Sequence, residues 1–253
     1  MFGWFLRGAG SRVRTTRYPR QADQAPGITP GRPVATEFGS YLHADHAAAR
    51  CPTRAITAQE GNAEVNASRC VHCMACLRGD TAMKWQNDFT WAVTGGIDAS
   101  TTTPPFRKSL HIRLVDSGSC DAVIQEIKQL AKPYYNMHKL GFFITPTPRH
   151  ADVLMVTGPV TSHMRLALKK TYEAMPGPKW VIAVGNCAIS GCVFAPSFMS
   201  AGAVSSVIPV DVQVPGCPPP PLVILHGLLV LTGRAPEMKS TVPVPQSIEE
   251  API

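Results

Sequence analysis

Eight cysteines carry most of the chemistry this sequence could perform. Cys70, Cys73 and Cys76 form a C-x2-C-x2-C run, and Cys51 stands upstream in a Cys51-Pro52 pair. Thiolates in sets of four hold either an iron–sulfur cluster or a structural zinc. Zinc sites favour two separated C-x2-4-C pairs, whereas a three-cysteine run with one distant Cys-Pro is cluster spacing. Cys51, Cys70, Cys73 and Cys76 therefore make one complete candidate set, with zinc as the alternative occupant. The other four, Cys120, Cys187, Cys192 and Cys217, are dispersed, yet each follows a strand-like segment and has a glycine close by (Gly118, Gly185, Gly191 and Gly216). Glycine lets backbone approach a bulky cluster, and its amide can donate to the cluster's sulfides. Four packing cysteines are the plainer alternative, because free cysteine is often simply buried.

The first set has an internal logic. In the C-x2-C-x2-C-x3-C-P run of bacterial ferredoxins, three cysteines ligate one cluster and the Cys-Pro cysteine ligates the other. Counting back from Cys51 puts the missing triplet at Tyr41, Ala44 and Ala47; counting forward from Cys76 reaches Asp80, followed by Thr81. One cluster has lost its whole set and the other has kept all four ligands. Ala55-Ile56-Thr57 and Ala82-Met83-Lys84-Trp85 read as short strands after each cysteine motif, the two-fold layout of a ferredoxin-like fold.

The elements that must position the second set read as a parallel α/β unit. Gly95 to Phe106, rich in Gly, Ser, Thr and Pro, is a linker. Beyond it, His111–Val115, Asp152–Val156, Lys179–Val184 and Val207–Asp211 read as strands. Asp121–Ala131 reads as a helix with Val123, Ile127 and Leu130 on one face. A second helix carries Met164, Leu168 and Met175, and Leu222–Leu231 is a buried helix. Apolar strands alternating with helices indicate a parallel sheet covered on both faces, whose ligand crevice lies at the carboxyl ends of the strands. His43, His46, His150 and His226 lack ligand spacing and read as surface or satisfied core residues. No glycine loop matches dinucleotide or P-loop spacing.

A length of 253 residues suits one main domain with an appendage, and 45% hydrophobic residues supply its core. Pro 24 and Gly 20 point to long connections. No apolar run reaches the ~20 residues of a membrane helix, and no secretory leader is evident. Secreted, collagenous, disordered and membrane-spanning classes are set aside in favour of a soluble protein of a reducing compartment. Only 16% of residues are charged, yet the net charge is +7. Much of the excess sits near the start, where Arg7, Arg12, Arg14, Arg17, Arg20 and Arg32 oppose Asp23 alone, after Phe2, Trp4, Phe5 and Leu6. Such an arm suits a membrane interface or a partner's surface. A disordered basic tail and a transit peptide are its other readings. Nucleic-acid binding is not expected, since no recognisable binding fold accompanies the charge.

Several stretches resemble the small, cluster-bearing subunit of group 4 membrane-bound NiFe hydrogenases and its complex I counterpart, the 20 kDa-type subunit. They are Ser109-Leu-His-Ile-Arg, Val115-Asp-Ser-Gly-Ser-Cys120, Pro133-Tyr-Tyr-Asn136, Arg149 through Thr161, Pro178 through Gly185, and Ile208-Pro-Val-Asp211 through Pro215-Gly-Cys-Pro-Pro219. The first 95 residues, with their arm and the ending Gln86-Asn-Asp-Phe-Thr-Trp-Ala92, resemble the ferredoxin-like 23 kDa-type subunit of the same complexes. The chain thus resembles a fusion of two electron-transfer subunits with one of three clusters missing. The resemblance implies an α/β fold with a flavodoxin-like parallel sheet, preceded by a small α+β ferredoxin-like domain and an extended N-terminal arm. The expected boundaries are an arm at 1–34, the ferredoxin-like domain at 35–95, a linker at 96–108, the small-subunit-like domain at 109–236 and a tail at 237–253.

The family's second cluster uses Cys-x2-Cys, a Gly-x-Cys-x3-Gly-Gly loop and Gly-Cys-Pro-Pro. Here Cys120, Cys187 and Cys217 match, Val123 replaces one cysteine, and Cys192 replaces the loop's final glycine. Glu126 keeps the place of the family's acidic residue. The resemblance implies two 4Fe-4S clusters, the second on Cys120, Cys187, Cys192 and Cys217, with Cys192 compensating for position 123. It also implies a non-catalytic electron-transfer subunit, peripheral on the cytoplasmic face of the membrane. Its partners would be a hydrogenase large-subunit-like protein, another electron-carrier subunit or ferredoxin, and, through the arm, a membrane subunit. A metal-stabilised assembly subunit that conducts no electrons is the alternative.

Overall fold

The structure is a computed structural model that describes residues 15–23, 25, 27–36, 41–59, 62–79, 83–95, 108–194 and 196–236. The first part holds β1 (Arg32–Ala35), α1 (Tyr41–Arg50), β2 (Ile56–Gln59), β3 (Asn62–Val65) and β4 (Met83–Gln86). Antiparallel pairing joins β1 to β4 and β2 to β3. Tyr41, Ala44 and Ala47, the positions counted as lost ligands, all fall on α1. Ala44 and Ala47 are 0% exposed and share a small core with Ile56, Ala63, Cys76 and Met83. Three residues apart, they lie on one helix face, so the segment packs as a helix where the ferredoxin run would have coiled around a cluster. β1 straddles the boundary expected between the arm and the ferredoxin-like domain and opens the β-structure of this part. Asp88 fixes the end of that pairing, accepting from Arg32 Nε at 3.0 Å and Arg32 Nη2 at 2.9 Å.

The second part follows as β5 (Val93–Thr94), β6 (Leu110–Asp116), α2 (Ala122–Gln129), β7 (Phe142–Ile144), β8 (Val153–Thr157), α3 (Ser162–Glu173), β9 (Trp180–Val184), α4 (Asn186–Ser190), β10 (Val212–Val214) and α5 (Pro221–Leu231). They build one six-stranded sheet in the order β5-β10-β9-β8-β6-β7. The pairings from β10 through β7 are parallel, and β5 runs antiparallel along the outer edge of β10. Numbered in chain order, the five parallel strands lie as 2-1-3-4-5, the flavodoxin-like arrangement. Residues alternate between the two faces. Val153, Met155, Ile182 and Val184 join α2 and α5 on one side, while Leu154, Val156, Val181 and Ala183 join Leu168 of α3 on the other. Both layers are apolar because parallel strands are covered on both faces.

The α/β fold is thus as the sequence implies, with local differences. Val207–Asp211 is not a strand; the sheet is entered only at Val212. Pro209 has no N–H to give a ladder, and Asp211 turns its carboxylate onto the Val181 N–H at 2.6 Å, so the segment ends as a cap. β5 and β7 are short edge strands that periodicity does not reveal. α5 starts at Pro221, where a missing N–H costs nothing, and is buried along its whole length. Among the described residues, no helix is long and apolar enough to cross a membrane. The arm through residue 14, the linker at 96–107, Ala82 of the expected fourth strand and the tail at 237–253 lie outside the described residues.

Candidate functional site

Cys51, Cys70, Cys73 and Cys76 all line one small pocket, closed by Pro33, Thr53, Ala55, Ile56, Val71, Met74 and Trp85. Cys51 leaves the end of α1, and the Ala55 N–H donates to its Sγ at 3.1 Å. Cys70 and Cys73 sit on the loop between two 3-10 turns and Cys76 lies in the second turn; in that loop His72 and Met74 adopt φ of 54° and 58°. Left-handed backbone is uncommon for such residues, and here it folds the loop around the pocket. Burial raises the Cys51 thiol, but hydrogen bonds from the Ala55 amide and from Thr53 outweigh it and hold it below its ordinary value. Cys70 is pushed up to about 11, first by burial and then, against an amide from His72, by the charges of Cys76, Cys51 and Cys73. Cys76 is raised by burial and by Cys73 and Cys51. The four sulfurs therefore face one another, with Cys73 on the exposed side.

The second set gathers at the carboxyl ends of β6, β9 and β10. Cys120 ends the loop after β6, whose Gly118 and Ser119 amides donate to Asp116 Oδ1 at 3.0 and 2.7 Å. Cys187 lies in the first turn of α4, and Cys217 precedes α5. Cys192 is close enough to the last two to shift both thiols. Its thiol, ahead of burial, lowers Cys187, which also feels Cys217 and Cys120. The same neighbour, and then burial, raises Cys217 far above its ordinary value. Gly118, Gly185, Gly191 and Gly216 all have positive φ. At Gly185 and Gly216 a side chain is also excluded by space. A Cβ on Gly185 would meet Val123 Cγ2 at 2.9 Å, and one on Gly216 would meet Pro219 Cα at 2.5 Å. Val123, where the resembling family has cysteine, thus borders the same crevice. Cys192 itself has φ 48°, a conformation that glycine adopts freely and that costs another residue about 1–2 kcal/mol. A thiol on strained backbone beside two others is a candidate for function rather than packing.

The two sets are joined by a residue the sequence did not single out. Asn186, 1% exposed, donates from Nδ2 to the Cys70 carbonyl at 2.6 Å, and its Oδ1 accepts the Gly216 N–H at 2.7 Å. It is bonded covalently to Cys187, so one amide touches the backbone at cysteines of both sets. Ser190 adds a second tie, donating to the Ser68 carbonyl at 2.8 Å and accepting the Cys192 N–H at 3.2 Å. The signal available in sequence was a polar residue next to a cysteine in a buried turn; its partner, 116 positions away, was not. Among the described residues, no group of three or more His, Cys, Asp or Glu side chains is arranged to hold a metal ion.

Of the histidines read as surface or core residues, those described take no part in either set. His46 and His150 are exposed. The side chain of His43 lies outside the described residues. His226, 0% exposed, is held through Nδ1 by the Tyr18 hydroxyl at 2.6 Å, while its Nε2 has no hydrogen-bond partner. It is a core residue satisfied on one side only, and burial pushes it down to about 4. Glu126 on α2 is raised by burial.

Comparison with known proteins bears on the second part. The family described as NADH ubiquinone oxidoreductase, 20 Kd subunit, matches residues 118–231. A probable membrane-bound hydrogenase subunit of Pyrococcus furiosus is 45% identical over 137 residues, which cover 54% of this chain and 81% of that protein. The chain belongs to this family. Within the 20 kDa-subunit family it is also 34% identical over 146 residues to formate hydrogenlyase subunit 7 of Escherichia coli, covering 58% of this chain and 57% of that one. Identity to an NADH-quinone oxidoreductase subunit of Heliobacterium modesticaldum is 45% over 101 residues, or 40% of this chain and 58% of that one. The family match contains Cys120, Cys187, Cys192 and Cys217 and leaves the first cysteine set outside it.

Proposed function

We propose that this chain is an iron–sulfur electron-transfer subunit, a fusion of a ferredoxin-like domain (35–95) with a 20 kDa-type domain (109–236). It would relay electrons between a redox partner and the large subunit of a membrane-associated, NiFe-hydrogenase-like or complex I-like oxidoreductase on the cytoplasmic face. Cys51, Cys70, Cys73 and Cys76 would hold one 4Fe-4S cluster, and Cys120, Cys187, Cys192 and Cys217 a second. The observation that carries this reading is the pair of four-cysteine sets tied together by Asn186. A thiolate-bound cluster of this type supplies a one-electron carrier.

The chemistry of the donor sets, rather than a closed metal-binding geometry, fits such a group. Each consists of four cysteines, and the Ala55 N–H on Cys51 Sγ is the kind of hydrogen bond that tunes a cluster thiolate. The core of the first part is built largely of alanines, too thin to hold a small domain alone, and a bound cluster would supply the missing stability. The face beyond Cys192 suits a large partner subunit. Val193, Phe194, Phe198 and Met199 are exposed there, Phe198 by 91%, and a cluster in sequence of exposed apolar side chains suits an interaction surface.

The test is redox titration of the anaerobically purified full chain, followed by EPR. Two separate one-electron reductions should appear. Cys76→Ser should perturb one and Cys217→Ser the other. A chain with no paramagnetic signal on reduction, purified with zinc, would support the non-conducting assembly subunit instead.

A further inference from the structure

At the amino ends of β6 and β7, on the far side of the sheet from the cysteine crevice, lies an open cavity of about 630 Å³. Arg17, Arg20, Lys139 and Arg234 line it together with Tyr135 and Asn136, and among the described residues no carboxylate does. It adjoins a second hollow that shares Lys139 and Arg234 and adds Lys108 and His138. Among the described residues, none of the four lining cations is paired with an acid. The arrangement is held in place. Thr16 N–H donates to the Tyr134 carbonyl at 2.9 Å and Tyr18 bonds His226, which pins the arginine-bearing segment across the domain. Arg234 donates to the Leu140 carbonyl at 2.7 Å and lies over the Phe142 ring. Arg234 is held in place while Arg17, Arg20 and Lys139 are exposed at the rim, and four like charges around one cavity favour an anion there.

We propose that this cavity binds the phosphate of an anionic phospholipid headgroup. Guanidinium groups fork onto phosphate oxygens, Lys139 adds a point charge, and Asn136 and Tyr135 offer neutral donors. The volume suits a headgroup rather than a bare ion. The lipid source follows from the sequence that leads into the cavity wall, where Phe2, Trp4, Phe5 and Leu6 precede Arg7, Arg12 and Arg14. Aromatics beside basic residues are the composition of a segment lying in a headgroup layer. The inference needs neither cysteine set.

The test uses the full chain and sedimentation with vesicles of phosphatidylcholine alone or with phosphatidylglycerol added. The wild type should prefer the anionic vesicles. Arg20→Glu with Lys139→Glu should weaken that binding by about tenfold or more, since each basic residue near an anionic surface contributes on the order of a few-fold. Arg20→Gln with Lys139→Gln, which relieves repulsion and leaves the fold unstrained, should weaken it in the same direction. Arg165→Glu with Lys169→Glu on α3 matches the charge change away from the cavity and should retain the preference. Equal losses from the cavity and α3 reversals would reduce the effect to net charge and overturn the proposal. Unchanged binding in the cavity variants would overturn it as well. Thermal stabilisation by glycerol phosphate without any vesicle preference would assign the cavity to a soluble phosphate ester and overturn the lipid source.

Discussion

Replacing Cys192 with serine should strip the second cluster of about one iron per chain, or abolish it, and leave the first cluster intact. In oxidised protein the EPR spectrum should gain a 3Fe-type signal in place of the second 4Fe-4S centre. The expectation comes from geometry rather than from the cysteine count. Cys192 shifts the thiols of both Cys187 and Cys217, and its backbone is left-handed at φ 48°. Cys192→Gly separates the two aspects. It should relax the backbone, stabilising the metal-free chain by about 1 kcal/mol, while losing the same iron as the serine variant. Val123→Cys in the Cys192→Ser background should restore the cluster, because Val123 borders Gly185 at the mouth of the same crevice. An unaltered second cluster in Cys192→Ser would make Cys192 a bystander and leave the other three cysteines as the whole set.

The second large effect is expected at Asn186. Asn186→Leu keeps the branched shape but removes the donor to Cys70 O and the acceptor for Gly216 N–H, a buried amide left without its partner. Each lost bond to a buried group costs about 1–3 kcal/mol, so denaturant unfolding should show a loss of about 2–5 kcal/mol. Hydrogen exchange should rise around Cys70, and any magnetic interaction between the two reduced centres should weaken as their separation becomes less defined. Asn186→Asp retains an acceptor for Gly216 but cannot donate to Cys70 when ionised. It should loosen the contact with the first part more than the turn before Cys217. Wild-type stability and exchange in Asn186→Leu would show that the contact does not hold the two parts together.

Much of the α/β fold was legible because its signals are local. Asp152–Val156 and Lys179–Val184 are continuous apolar runs, as strands buried on both faces must be, and they fall within a residue or so of β8 and β9. Val123, Ile127 and Leu130 declare one helix face and are all buried. Val207–Asp211 misled because valines and an isoleucine favour strands, while Pro209 and the capping carboxylate of Asp211 decide otherwise. The α1 helix hides behind a ligand count: Tyr41, Ala44 and Ala47 occupy the places of absent cysteines, and that spacing masks residues of one helix. The division of the cysteines into two sets was readable from motif and strand ends. The tie between the sets was not, since Asn186 and Cys70 meet only through tertiary packing.

The central claim is that both sets hold iron. Iron, acid-labile sulfide and zinc measured together on the anaerobically purified full chain test it most directly. Two 4Fe-4S clusters require about eight irons and about eight sulfides per chain, with zinc at background. Zinc in place of iron at either set, or about four irons with the Cys120, Cys187, Cys192 and Cys217 thiols free to alkylation, would contradict it.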